Sequence, residues 1–429
     1  VLEPGWRLRR GGAVIACCLA AAAAPTRARA DVLWEATAAG NAGYDRTVTE
    51  GQDLASTVVE GRPGFVLMLE RPRRVWRAAY LFAGTLTLAG DGIDSYSNAL
   101  DLSLAAELSA RSSLGLTASV TQGDTEFRLT ARAPEEGAPV LREPESPALV
   151  TGTIAQTYSW ESTERFRVSE EAELSATSRQ DELDRTNWIL AGSLGLERVY
   201  RRDALGVAVA PRLSRLRSLV GDAPAVRTVA TSLTASWNRD LDPRWNAQVA
   251  AGAEHVTSDA RGQDDGIEPT GSGIVRYFAG DVEAALAYRR GATASLETGA
   301  MIRAQELVFS GATSFGPARQ LGVSAGWLRA QPLAPGAPAR GDVYSADVGL
   351  VWGLGDHLRA TARYALALER AAGEVPASTV HVAQVGLALR WGNTPYVPPV
   401  PTLGEGRVDR GDAVRFPGAE RDAGQDERR

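Results

Sequence analysis

Apolar and polar positions alternate with a period of two along most of the chain. The stretch 97–121 shows it most clearly. Leu100, Leu102, Leu104, Ala106 and Leu108 alternate with Asp101, Ser103, Ala105, Glu107 and Ser109. A turn at 110–113 follows, and then Leu114, Leu116, Ala118 and Val120 alternate with Gly115, Thr117, Ser119 and Thr121. Successive side chains of a strand point to opposite faces, so this period specifies strands rather than helices. The stretch is a long β-hairpin with one apolar face and one small, polar face.

Similar units fill the chain up to Trp391. Strands are expected at 32–44, 57–69, 75–90, 148–161, 165–177, 186–199, 204–214, 225–238, 245–256 and 272–289 besides the hairpin. They continue at 293–303, 306–315, 320–330, 342–354, 358–369 and 379–392. The connections alternate between short turns and mostly longer loops, the longest of them at 122–147. That asymmetry, with strands long enough to cross a bilayer at a tilt, predicts an all-β fold. The expected architecture is a transmembrane antiparallel up-and-down barrel of about eighteen strands, with sixteen as the alternative. An even count puts both ends of the barrel chain on one side, the periplasm.

Tryptophan placement supports the same architecture. Trp76, Trp160, Trp237, Trp245, Trp352 and Trp391 all fall beside a short turn or at the exit from the last strand. On a barrel they form one belt at a membrane interface, where an amphipathic ring is favoured.

Composition changes the picture at the two ends. Charged residues make up 23% of the 429-residue chain, which carries a formal charge of -6, and its mean hydropathy is -0.16. Such averages conceal a membrane barrel, because lipid-facing and lumen-facing residues cancel. The charge gives no reason to expect a nucleic-acid partner. Arg7, Arg9 and Arg10 precede an apolar run from Gly11 to Ala24, and Ala28-Arg29-Ala30 is an A-x-A cleavage site. Residues 1–30 therefore read as a signal peptide. Cys17 and Cys18, the only cysteines, fall inside it, which leaves 31–392 without thiol or disulfide chemistry. Residues 393–429 open with Pro395, Pro398, Pro399 and Pro401 and then become a mixed-charge run. They are expected to be a disordered periplasmic tail.

No catalytic or metal-binding set emerges, and no cofactor is expected. His255, His357 and His381 fall at strand ends or in a turn. Asp259, Asp264, Asp265 and Glu268 share a loop without a calcium-loop spacing. Ser97-Asn98 has no histidine placed to complete a hydrolase set. The alternation does assign charges to a lumen. Asp101, Glu107, Glu171, Glu173, Glu197, Glu254, Asp281, Glu283, Glu297 and Asp347 point inward, as do Arg77, Arg111, Arg167, Arg289, Arg303, Arg359, Arg363 and Arg390. The signs are nearly balanced. Glu170 and Arg276 fall on the apolar face as misfits.

With Gly40 to Asp45 as Gly-x-x-x-Tyr-Asp, Arg71-Pro72-Arg73 at a turn and Tyr96-Ser97-Asn98 after the third strand, the chain resembles the outer-membrane β-barrel porins of Gram-negative bacteria. Some of these are encoded in exopolysaccharide export clusters. The resemblance implies outer-membrane lipid as surroundings and small solutes or polysaccharide as cargo. Four readings follow: a passive conduit, an exopolysaccharide exit channel, a structural or adhesive barrel, and a soluble periplasmic β-protein. A plugged transporter is disfavoured, because 31–54 is too short to make a plug.

Overall fold

The computed structural model describes residues 31–49, 52–90, 95–124, 148–180, 185–218, 225–259, 266–294, 301–316, 318–332, 342–370 and 377–393. The expected signal peptide, nearly all of the expected tail and Glu297 lie outside the described residues. The strands are β1 (Asp31–Thr49), β2 (Gln52–Arg71), β3 (Arg74–Gly90), β4 (Ser95–Ser109), β5 (Ser112–Asp124) and β6 (Ala148–Thr163). They continue with β7 (Phe166–Gln180), β8 (Arg185–Val199), β9 (Asp203–Ser218), β10 (Val226–Asp242), β11 (Trp245–Ser258) and β12 (Gly266–Ala279). The last six are β13 (Val282–Ala294), β14 (Met301–Ser314), β15 (Arg319–Pro332), β16 (Asp342–Gly353), β17 (Leu358–Glu369) and β18 (Ser378–Gly392).

Every strand pairs antiparallel with its sequence neighbours, and β1 pairs with β18 as well as β2. The result is a closed eighteen-stranded barrel. Closure satisfies the backbone groups that an open edge would leave bare. It is sealed where Asn393 Nδ2 donates to the Val32 carbonyl at 2.8 Å and the Trp34 amide donates to Asn393 Oδ1 at 2.6 Å. Eight tight turns lie on one rim, together with the start of β1 and the end of β18.

Turn chemistry on that rim is local and legible. Pro72 fixes φ for the first turn position between β2 and β3, and Arg73 takes the left-handed conformation at φ 67° that a type II turn needs. Between β12 and β13 the turn is Gly280-Asp281, with Gly280 at φ 58°. A two-residue turn led by a left-handed glycine matches the twist of the flanking strands.

That turn corrects the expected layout. The stretch 272–289 is not one strand but parts of two, and 293–303 and 306–315 are not two strands separated by a break. Residues 301–314 run unbroken as β14. The two differences cancel, so the count stays at eighteen. The alternation of Phe278, Gly280, Val282, Ala284 and Leu286 with Ala279, Asp281, Glu283 and Ala285 continues straight through the turn and hides it. The turn also reverses parity: Ala279 pairs with Val282, so even positions share a face with odd ones across it.

Candidate functional site

Partners directly across a ladder share a face, so one assignment propagates around the barrel. Leu104 pairs with Trp76 and with Leu116, Trp76 with Leu69, and Leu67 with Trp34. Onward, Ala36 pairs with Trp391. This face holds the exposed Leu86, Ile154, Leu190, Leu233, Leu286, Leu350 and Leu387. The opposite face is the interior. Its side chains Arg212 on β9 and Glu254 on β11 reach Ala292 on β13 past intervening strands, which is possible only across the concave side.

On the outer face, Trp76, Trp160, Trp237, Trp245, Trp352 and Trp391 all lie near the short-turn rim. Trp34 and Tyr277 sit with them; the Trp245 and Tyr277 rings are 4.7 Å apart. Arg319 lies 4.6 Å from the Trp352 ring centre. Trp237 Nε1 donates to Asp203 at 3.1 Å. A second aromatic group went unnoticed in the sequence: Tyr44, Tyr96, Trp188, Trp327 and Tyr344 occupy the outer face toward the long connections. Trp327 and Tyr344 are direct partners. Tyr344 and Trp352 are eight residues apart on β16, which is roughly 20 Å along the barrel axis at ~3.4 Å per residue and a ~40° tilt. Such a band, apolar between two aromatic rims, is the outer surface that a bilayer requires.

The inner face carries the charges. The registers place Arg77, Asp101, Glu107, Arg167, Glu171, Glu173, Glu197, Glu254, Glu283, Arg289, Asp347, Arg359, Arg363 and Arg390 on it. Arg111 and Asp281 are not on the wall but in short turns, because Arg111 follows the end of β4 and Asp281 follows Gly280. Arg276 is not an outer-face misfit. The parity reversal at Gly280-Asp281 turns it inward, opposite Asn246 and Ala285. Glu170 does face outward, between Tyr158 and Leu194, one layer of side chains in from the Trp160–Val168 pair. Arg303 has outward parity within its sheet, yet it pairs with the inner-face Glu268.

Many inner charges are cross-linked. Arg363 Nε meets Asp347 Oδ2 at 2.5 Å, Arg390 meets Glu35 at 2.7 Å, and Arg289 meets Glu306 at 3.2 Å. Arg167 lies 3.1 Å from Glu161 and 3.5 Å from Glu197. Glu60 is 2% exposed and accepts from Arg62 Nε at 2.5 Å and from Asn41 Nδ2 at 3.1 Å. Sequence reasoning missed Glu35, Asp45, Glu60, Glu306 and Glu369: Asp45 lies just past the expected strand end at 44, and the other four lie within or at the limits of expected strands, where the local alternation did not single them out. With Glu268 they tip the inner face toward acid. Arg62, Arg212 and Arg276 are fewer.

The two halves of the interior differ. Toward the short turns, inner side chains such as Arg77 and Arg167 are exposed. Toward the long connections they are shut off from solvent around the circumference: Ser56, Glu60, Ser97, Asn187, Ser214, Thr228, Val343 and Glu369 are all buried. Among the described residues no inner-face cluster resembles a catalytic set. His255 and His381 are on the outer face, His381 accepting or donating with Tyr364 Oη at 2.9 Å. Ser97 faces inward, while Asn98 faces outward and accepts from Tyr80 Oη at 2.8 Å. Among the described residues no three His, Cys, Asp or Glu side chains are grouped to hold a metal.

A closed antiparallel sheet with a charged inner face and an apolar, aromatic-rimmed outer face defines the class: this is a transmembrane β-barrel. The chain is similar in solved structure to Pseudomonas aeruginosa OccK2 (OpdF) in complex with glucuronate, with 13% identity, a TM-score of 0.44 and coverage of 83% of this chain and 98% of that one. It is also similar to a BenF-like porin from Pseudomonas fluorescens Pf-5, with 10% identity, a TM-score of 0.42 and coverage of 84% and 99%. A third is the siderophore receptor PirA from Pseudomonas aeruginosa, with 11% identity, a TM-score of 0.43 and coverage of 85% and 81%. No protein-family model matches the chain, and no curated protein matches it.

Proposed function

We propose that the chain is a porin-like conduit of the outer membrane that passes small solutes passively and with weak selectivity. The observation that carries this reading is the separation of faces in a closed sheet of eighteen strands. At a strand spacing of ~4.8 Å and a tilt of ~40°, eighteen strands enclose a ring roughly 36 Å across between backbones. Two facing layers of side chains do not span that width, so water and charge can occupy the middle. The inward side chains are suited to a wet interior, and many are paired, which mutes the field any one of them exerts.

In this reading the short turns and both strand ends face the periplasm. Residues 1–30 direct export and are removed before Asp31, and 393–429 form a periplasmic tail. The burial of inner side chains toward the long connections favours a second reading, a structural or adhesive barrel closed at that end.

Planar-bilayer recording of the purified protein separates the two. Stepwise conductance with modest ion preference is the expected result. Silence under all conditions, with the barrel intact by circular dichroism, overturns the conduit and leaves the closed barrel.

A further inference from the structure

The outer face carries an arginine cluster at its rim toward the long connections. Arg215 on β9 stands directly between Trp188 on β8 and Arg227 on β10. Arg217 lies two residues further along β9 on the same face, opposite Thr186. All three arginines are exposed. Residues directly across a ladder stand ~5 Å apart at Cβ, and like charges so placed repel.

The height of the cluster matches a membrane surface. Arg227 and Trp237 are ten residues apart on β10, which is roughly 26 Å along the barrel axis at ~3.4 Å per residue and a ~40° tilt. Trp237 belongs to the short-turn rim, so Arg227 lies at the opposite surface, where lipid headgroups sit. One step into the membrane band, Leu190, Leu213 and Val229 form the next row across the same three strands.

Other outward arginines at this end have carboxylate partners. Arg46 meets Asp53 at 2.7 Å, and Arg329 meets Asp342 at 2.7 Å. Among the described residues no carboxylate bonds the guanidinium of Arg215, Arg217 or Arg227. Asp259 stands beside Arg227, but its Oδ1 accepts from the Arg227 backbone amide at 2.5 Å.

We propose that Arg215, Arg217 and Arg227 bind the phosphorylated headgroup of a membrane lipid, with Trp188 flanking the site and the acyl chains lying on Leu190, Leu213 and Val229. Arginine donates parallel N–H bonds to phosphate oxygens and keeps its charge throughout the physiological range. A phosphate between Arg215 and Arg227 replaces their mutual repulsion with attraction to a shared anion. A lipid rather than a soluble anion follows from the stacking of this cationic row on an apolar one, in a wall that faces the bilayer. The proposal needs a membrane barrel and not a conducting one, because none of these side chains faces the lumen.

The test weighs the detergent-purified protein intact by native mass spectrometry, which counts bound lipids during a titration. The probes are dioleoyl phosphatidic acid, dioleoyl phosphatidylcholine and inorganic phosphate. Arg215→Gln with Arg227→Gln, and Arg217→Gln alone, are compared with Arg329→Gln, which removes an already paired cation of the same rim. The first phosphatidic acid is expected to bind about tenfold more tightly than phosphatidylcholine, and salt should weaken that preference. The double replacement should abolish the preference, Arg217→Gln should reduce it, and Arg329→Gln should leave it. Inorganic phosphate at equal concentration should not displace the lipid. Circular dichroism and heat-modified gel mobility identify variants that still fold; if the double replacement does not, Arg215→Gln and Arg227→Gln singly decide. Equal binding of the two lipids by the parent, a preference unchanged in folded Arg215 and Arg227 variants, or an equal loss in Arg329→Gln overturns the proposal. Displacement by inorganic phosphate overturns the lipid assignment in favour of a soluble anion. Each of these results leaves the conduit standing.

Discussion

Leu104 stands directly between Trp76 on β3 and Leu116 on β5, on the outer face beside the short-turn aromatic rim, while its neighbour Ser103 stands between Arg77 and Thr117 on the inner face. The two positions are adjacent in sequence and opposite in surroundings. Leu104→Arg is expected to destabilise the barrel by roughly 1–2 kcal/mol, between the midplane and interfacial costs of a cationic side chain on the lipid face, because Leu104 adjoins the Trp76 rim. Ser103→Arg should be tolerated within about 0.5 kcal/mol. Refolding into lipid vesicles over a urea series measures both, and equal losses would contradict the assigned faces.

The buried Glu60 anchors Arg62 and Asn41 on the inner face. Glu60→Ala removes the carboxylate and leaves the guanidinium to be satisfied by what remains. The expected loss is roughly 2–4 kcal/mol, tempered because Arg62 is partly exposed. Glu60→Gln keeps an acceptor and should lose about half as much. The same lipid refolding assay reads both, and a neutral Glu60→Ala would show the cluster to be dispensable.

The acid-rich inner face sets the sign of the ion preference. The wall from β4 to β8 holds Asp101, Glu107, Glu171, Glu173 and Glu197 against Arg167. A salt gradient across a bilayer should give a reversal potential toward cations, with a permeability ratio of a few-fold. Asp101→Asn combined with Glu171→Gln should reduce it. A preference for anions in the parent would refute this assignment.

Beyond Tyr44, outside the aromatic rims, Arg46 Nη2 and Nε bond the Asp53 carboxylate at 2.7 Å and 3.0 Å. The hydrogen bond and the charge of Arg46 hold the Asp53 carboxyl below its ordinary value. A depressed carboxyl contributes to the folded state above the unfolded value, about 3.9, and loses that contribution as pH falls through the folded value. Carboxyl-carbon NMR should show Asp53 titrating below that point, and Arg46→Gln should move the midpoint up. An unchanged midpoint would mean that the pair does not form in solution.

How much of this is legible in sequence depends on whether the signal is periodic or relational. Leu100 to Val120 betray their faces because alternation is a local property. The strand count survives because each missed boundary near Gly280 was matched by a false one near 304–305. Arg276 could not be placed correctly, since its face depends on a two-residue turn that reverses parity. Glu60 lies inside the expected strand 57–69, but its role is relational: only the registers with β1 and β3 bury it and set it opposite Asn41. The contacts of Arg212 and Glu254 with Ala292 were beyond reach as well, because they join strands that are not neighbours in the sheet.

The seal at Asn393 has a consequence for the order of the chain. Because β1 meets β18 by the same ladder that joins every other neighbouring pair, the ring has no privileged starting strand. A circular permutant that links the end of β18 to the start of β1 by a few residues and opens at the turn between β8 and β9 should close into the same cylinder. Its topology would be a rotation of the parent's, and the site of opening would matter only to how the cell delivers the chain.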